Sequence, residues 1–273
     1  MFSHLLVDTV AKTGRMGRLF VKEATLRQIL VVTDGCSNSG MSPVAAAALA
    51  REQGITVNVI GVIDKSELGE KGETEIREIA EAGGGLCDIV YPQQLAQTVQ
   101  MLTRKAMTRT IHQVVNKELQ EILGDSGMAE LAPSKRVQVA GMVDELGEKS
   151  NLNVVMLVDT SGSMKPKMSA VQQAIHDFSI SLRSRSGQSR MAVCSFPGKG
   201  KHLEVRIPWT EKVEQAHQLS SDLAMSGITP TGPAIVEAIA LFEHVQLPQS
   251  LSDRYRDAHL EDDGEGNLRD HVF

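Results

Sequence analysis

Aromatic residues are scarce in this chain, at 3 % of 273 residues. Any core must therefore be mostly aliphatic, and with 41 % hydrophobic residues there are enough of them to form one. The length allows one large domain or two small ones. Cysteine is rarer still. Cys36, Cys87 and Cys194 are odd in number and lack metal-ligand spacing, which excludes a disulfide scaffold and a cysteine zinc site and reads as reduced thiols in a cytoplasmic protein. There is no basic surplus. A net charge of −6 gives no reason to expect nucleic acid or an anionic membrane as partner. No apolar run approaches the roughly 20 residues of a membrane span. The eight histidines form no H-E-x-x-H pattern, and no G-x-x-x-x-G-K-[ST] loop offers a nucleotide site. Residues 1–25 carry scattered basic side chains without the apolar centre of a signal peptide, and read as a leader.

What the chain does have is an alternation of apolar runs and helical patterns. Ile29–Thr33 and Ile55–Ile63 are continuous apolar runs, as expected of strands buried on both faces of a parallel sheet. Between them Ser42-Pro43 opens an alanine-rich helix that Gly54 stops. A helix near Thr74–Ala82 precedes a third strand, Leu86–Tyr91. A long helix then runs from Gln93 towards Leu123. Residues 108–149 form a helical connector, with a short helix over Ala132–Leu146 capped by Ser134 and ended by Gly147. Leu152–Val158 is another buried strand. A helix to about Arg185 follows, then a strand over Met191–Phe196 and a turn tipped by Lys199 and Lys201. Leu203, Val205 and Ile207 alternate with Glu204 and Arg206, the pattern of an antiparallel edge strand. A helix near Glu211–Leu223, a tight polar loop over Ser226–Pro233 and a last helix through Phe242 complete the series. Residues 247–273 read as an acidic, solvated tail. The alternation predicts an α/β fold with a doubly wound, mostly parallel sheet and one antiparallel edge strand.

The chemistry concentrates at Asp159-Thr160-Ser161-Gly162-Ser163-Met164. A carboxylate and two hydroxyls at alternate positions in a strand-to-helix turn point at one spot, at the carboxyl end of a strand where open α/β sheets bind ligands. Hard oxygens of this kind suit Mg²⁺ or Mn²⁺. The same residues can instead serve as helix caps.

The D-x-S-x-S pattern in this context resembles the metal-ion-dependent adhesion site of von Willebrand factor type A domains. Residues 150–246 look like the first half of such a domain, through the helix after the Thr-bearing loop. Residues 26–107 look like its second half, which begins with a strand ending in Asp34-Gly35. The resemblance thus implies a circularly permuted domain with the second half first, and residues 108–149 bridging the ordinary termini. The rival is a tandem of two degenerate domains, each with an exposed central edge. A domain-swapped homodimer, with halves completed between chains, meets the same bonding needs.

The resemblance also implies a site. Ser161, Ser163 and Thr229 would approach a metal through hydroxyl oxygens, and Asp159 and Asp34 directly or through water. Thr231 is close enough in sequence to be confused with Thr229, and Ile228 stands where the family has a small residue. Gly162 is expected to allow a sharp turn and Gly35 a close approach; Ser37 and Ser39 are loop residues. The function implied is capture of an Asp or Glu on a partner protein through the bound cation, with no catalysis. Two other readings stay open: a metal-dependent hydrolase using Asp159 or Ser161, and a structural subunit with a vestigial metal site.

Overall fold

The computed structural model describes residues 25–63, 70–123, 133–211 and 228–243. Chain contacts divide it at Ala238, with the sheet in the first unit and residues 239–273 in the second. The elements are β1 (Thr25–Thr33), α1 (Pro43–Glu52), β2 (Ile55–Val62), α2 (Glu70–Ala82), β3 (Gly84–Val90), α3 (Leu95–Leu123), α4 (Pro133–Lys149), β4 (Asn151–Asp159), α5 (Met168–Arg183), β5 (Ser189–Phe196), β6 (Glu204–Thr210) and α6 (Thr231–Glu243). The expected leader, the helix near Glu211–Leu223 and the acidic tail lie outside the described residues.

The strands form one six-stranded sheet in the order β3-β2-β1-β4-β5-β6. All neighbours are parallel except β5 and β6. The centre of the sheet is the β1–β4 pair, in register from Thr25 opposite Asn151 to Val32 opposite Val158. From β1 the chain winds outward to β2 and β3, and from β4 it winds the other way to β5. The carboxyl ends of β1 and β4 are therefore the point where the winding reverses, the place where open α/β sheets gather ligands.

The period of two along each strand divides the core. Leu30 and Val32 of β1 and Leu152, Val154, Met156 and Val158 of β4 pack in one cluster with Leu95, Val99 and Leu102 of α3 and Val171, Ile175 and Phe178 of α5. Ile29, Val31, Val155 and Leu157 are equally buried and point the opposite way. On that face α2 closes against β2: a Cβ on Gly61 would lie 2.7 Å from Ile76 Cδ1. Each fully buried aliphatic side chain contributes about 1.5–3 kcal/mol, so a double-faced sheet of Val, Ile and Leu needs few aromatics, Phe178 and Phe196 among them.

Several sequence boundaries move. The third strand starts two residues early, at Gly84, and stops at Val90. The helix α4 does not end at Gly147. It runs to Lys149 and ends where Ser150 donates both its N–H (2.9 Å) and its hydroxyl (2.7 Å) to the Leu146 carbonyl. The connector is more than a bridge, because Ile111 and Val115 of α3 and Val139, Val143 and Leu146 of α4 form a small core of their own, with Leu26 packed against it. The alternation expected of the edge strand also breaks. Val205 is 44 % exposed where the pairing slips between Val193–Ile207 and Cys194–Val205. Arg206 there turns to donate from Nε to Ser195 Oγ at 2.8 Å.

Candidate metal centre

The site begins with two strand ends side by side. Asp159 is the last residue of β4 and is fully buried. Across the pair, Thr33 ends β1 and donates its hydroxyl to Asp159 Oδ2 at 2.6 Å. The other oxygen, Oδ1, accepts the Ser161 backbone N–H at 2.8 Å. Beyond this turn the chain enters a 3₁₀ stretch, Gly162–Lys167, before α5. That stretch sets the two hydroxyls together, with Ser161 Oγ and Ser163 Oγ 3.2 Å apart. Ser163 Oγ then donates to Asp34 Oδ1 at 2.8 Å. Asp34 follows β1 directly, so the contact joins residues 129 positions apart.

Thr229 arrives by a different route. Its carbonyl accepts the Asn38 N–H and the Ser37 hydroxyl, both at 3.2 Å, and its N–H donates to Asn38 Oδ1 at 2.8 Å. The loop after β1 and the loop before α6 are thereby tied backbone to backbone. Glycine is required in this tie: a Cβ on Gly232 would meet the Met41 carbonyl at 2.0 Å, and Gly40 has φ +81° and lies against Pro233. The Thr229 residue is 6 % exposed. The structure thus links Asp159, Ser161, Ser163 and Asp34 by direct contacts or a shared turn, and ties Thr229 to Ser37 and Asn38 of the loop that follows Asp34. Thr231 is distinct from it as the first residue of α6.

Two glycine expectations fail. A Cβ on Gly162 or Gly35 would meet nothing within 4 Å, and neither residue adopts a left-handed backbone. The turn is shaped by the Asp159–Ser161 hydrogen bond and the 3₁₀ stretch. Ser37 and Ser39 are not equivalent either: Ser37 carries the tie to Thr229 and takes Glu75 Oε2 on its N–H at 3.0 Å.

The electrostatics of the two carboxylates differ. Burial pushes the Asp159 carboxyl above the usual carboxylate range, outweighing the hydrogen bonds from Thr33 and Ser161, and the nearby Asp34 charge pushes the same way. Asp34 has a cation of its own: Lys167 Nζ lies 2.5 Å from Asp34 Oδ2, with the two side chains 8 % and 1 % exposed. Among the described residues no cation pairs with Asp159, a buried carboxylate beside two hydroxyls. Hard oxygens around under-compensated negative charge fit a small divalent cation. Among the described residues no three His, Cys, Asp or Glu side chains form a metal cluster, so such a site rests on hydroxyls as much as on carboxylates.

Sequence reasoning missed two members of this cluster, Thr33 and Lys167. Thr33 could have been found from strand register, since the residue before Asp34 faces the end of β4. Lys167 could have been found only from the three-residue turn of the Gly162–Lys167 stretch, which puts it on the same side as buried Met164.

Two matches to models of the von Willebrand factor type A domain cover residues 154–257 and 9–105. An uncharacterised protein of Bacillus subtilis (strain 168), YabS, is 51 % identical over 227 residues, which is 83 % of this chain and 93 % of that protein. The chain is a von Willebrand factor type A domain protein of the YabS type. The crystal structure of an uncharacterised protein from Alicyclobacillus acidocaldarius subsp. acidocaldarius DSM 446 has the same fold. It is 42 % identical, with a TM-score of 0.78 over 84 % of this chain and 98 % of that one. Von Willebrand factor type A domains are in general protein-interaction modules, and the two matches meet in this chain in one sheet. No helix among the described residues is long and apolar enough to cross a membrane.

Proposed function

We propose that this protein is a metal-dependent protein-binding module in which Asp159, Ser161, Ser163, Thr229 and Asp34 hold Mg²⁺ or Mn²⁺. The reading is supported by one observation above all: four oxygen-bearing side chains from two distant parts of the chain converge where the sheet reverses its winding. On this reading the chain carries the family's two halves in permuted order, residues 150–246 as the first and 26–107 as the second. A bound cation would supply an oxygen-seeking Lewis-acidic position at the surface. Three of the five donors are neutral hydroxyls, so the ion would stay electrophilic and favour an Asp or Glu carboxylate on a partner.

The protein's part is to fix the donors. Thr33 holds one Asp159 oxygen and the Ser161 N–H the other, which orients the carboxylate, and the Ser37–Asn38 tie fixes the loop bearing Thr229.

Mg²⁺ or Mn²⁺ should raise the melting temperature, because a ligand that binds only the folded state stabilises it by mass action. Ser161→Ala combined with Ser163→Ala should abolish the shift. A shift that survives in the double variant places the metal elsewhere, and no shift in the wild type favours the vestigial structural subunit.

A further inference from the structure

Lys167 is a buried cation inside a site otherwise made of carboxylates and hydroxyls. Its residue is 7 % exposed, and its ammonium is paired with Asp34 Oδ2 at 2.5 Å. The opposite oxygen of the same carboxylate takes the Ser163 hydroxyl, which in turn touches the Ser161 hydroxyl. The ammonium, the carboxylate and both hydroxyls are therefore one continuous chain of contacts. Lys167 is also held in place: the 3₁₀ stretch that carries it contains Pro166 and buries Met164 one turn earlier.

We infer that Lys167 is an internal counter-cation that neutralises Asp34 and competes with a divalent ion for that carboxylate. The inference rests on the proposed metal site. Its physical basis is charge. Two carboxylates and one ammonium leave a single negative charge in excess, so the pair of Asp34 and Lys167 needs no metal to stay buried. A dication placed among the same oxygens meets a like charge a few ångströms away, in a region of low exposure where screening by water is weak. Binding of the ion must therefore loosen or displace the lysine. Metal affinity is thereby set lower than the donor set alone would allow.

The test compares wild type, Lys167→Met and the neutral pair Asp34→Asn with Lys167→Met, using Mn²⁺ as the probe. By calorimetry, Lys167→Met should bind Mn²⁺ about tenfold or more tightly than wild type. Without metal its melting temperature should fall, because Asp34 is left buried and unpaired, and the neutral pair should recover much of that loss. Where Lys167→Met folds too poorly to titrate, wild type supplies the second readout: acetylation of Lys167, mapped by mass spectrometry, should rise when Mn²⁺ is added. Equal Mn²⁺ affinity in wild type and Lys167→Met overturns the competition and leaves the metal site standing; so does Lys167 acetylation that Mn²⁺ leaves unchanged. Absence of Mn²⁺ binding in wild type and variant alike overturns the metal site, and the competition with it.

Discussion

The two ends of the central strands solve the same problem in opposite ways. At the amino end, Arg185 is a half-buried cation that spends its donors on fixed oxygens: the Gly147 carbonyl at 2.6 Å, the Ser150 carbonyl at 2.8 Å and Ser189 Oγ at 2.5 Å. Burial pulls its guanidinium below the usual arginine range, and Glu148 opposes this. At the carboxyl end, Lys167 is a buried cation held by one carboxylate, whose other contact is a rotatable hydroxyl. The first arrangement joins the end of α4 and the start of β4 through carbonyls that cannot leave, and reaches the start of β5 through the Ser189 hydroxyl. The second is built from groups that can all change partner. A cavity of about 390 Å³ lies at the amino end, against Leu152, Phe178, Leu182 and Arg185, well away from the cluster of oxygens. A second cavity, of about 480 Å³, lies at the other end, against Ser42, Pro43 and Glu75.

The sharpest way to break the comparison is Arg185→Met. It strips the donor from two carbonyls and should cost about 3 kcal/mol in urea denaturation. Mn²⁺ affinity should not change. A parallel loss of affinity would show that the two ends are not independent.

A smaller effect sharpens the other side. Asp34→Ala and Thr229→Ala should each weaken Mn²⁺ binding about tenfold, or about 1.4 kcal/mol. In the double variant the losses should fall short of additive, because the two residues act on one ion. Wild-type affinity in Asp34→Ala, with folding intact by circular dichroism, would remove Asp34 from the site.

The smallest effect concerns a residue that belongs to neither end. Burial within β5 pushes the Cys194 thiol up to about 12. A thiol pKa raised on folding contributes stability that is complete below the ordinary thiol range and is lost as pH rises through about 12. At pH 8 Cys194 should therefore resist a thiol-disulfide reagent until the protein unfolds. Cys36 and Cys87, which are only partly buried and raised less, should react first. Early labelling of Cys194 would mean that β5 opens independently of the sheet.

Much of this was legible in the residues themselves. Asp159, Ser161 and Ser163 are local in sequence, and the apolar run before them marks a strand end without any knowledge of neighbours. Asp34 was legible for the same reason, and its strand does lie beside Leu152–Val158. Thr33, Lys167 and Arg185 were not. Their roles depend on which strand lies opposite, how a 3₁₀ stretch is phased and where a helix stops, and none of these is set by local pattern. Val205 failed for a related reason, since one slip in pairing moves a side chain to the other face.

The pairing of β1 with β4 carries a further consequence, for the chain during synthesis. Strands β1, β2 and β3 are made first and can pair among themselves. Until Asn151–Asp159 emerges more than a hundred residues later, β1 has one open side, and that side belongs to the apolar sequence Thr25-Leu-Arg-Gln-Ile-Leu-Val-Val-Thr33. An unpaired edge of this kind is a template for wrong partners, including the same edge of another copy. The arrangement that puts Asp34 next to Ser163 thus leaves the growing chain adhesive along its middle until its second half has been made.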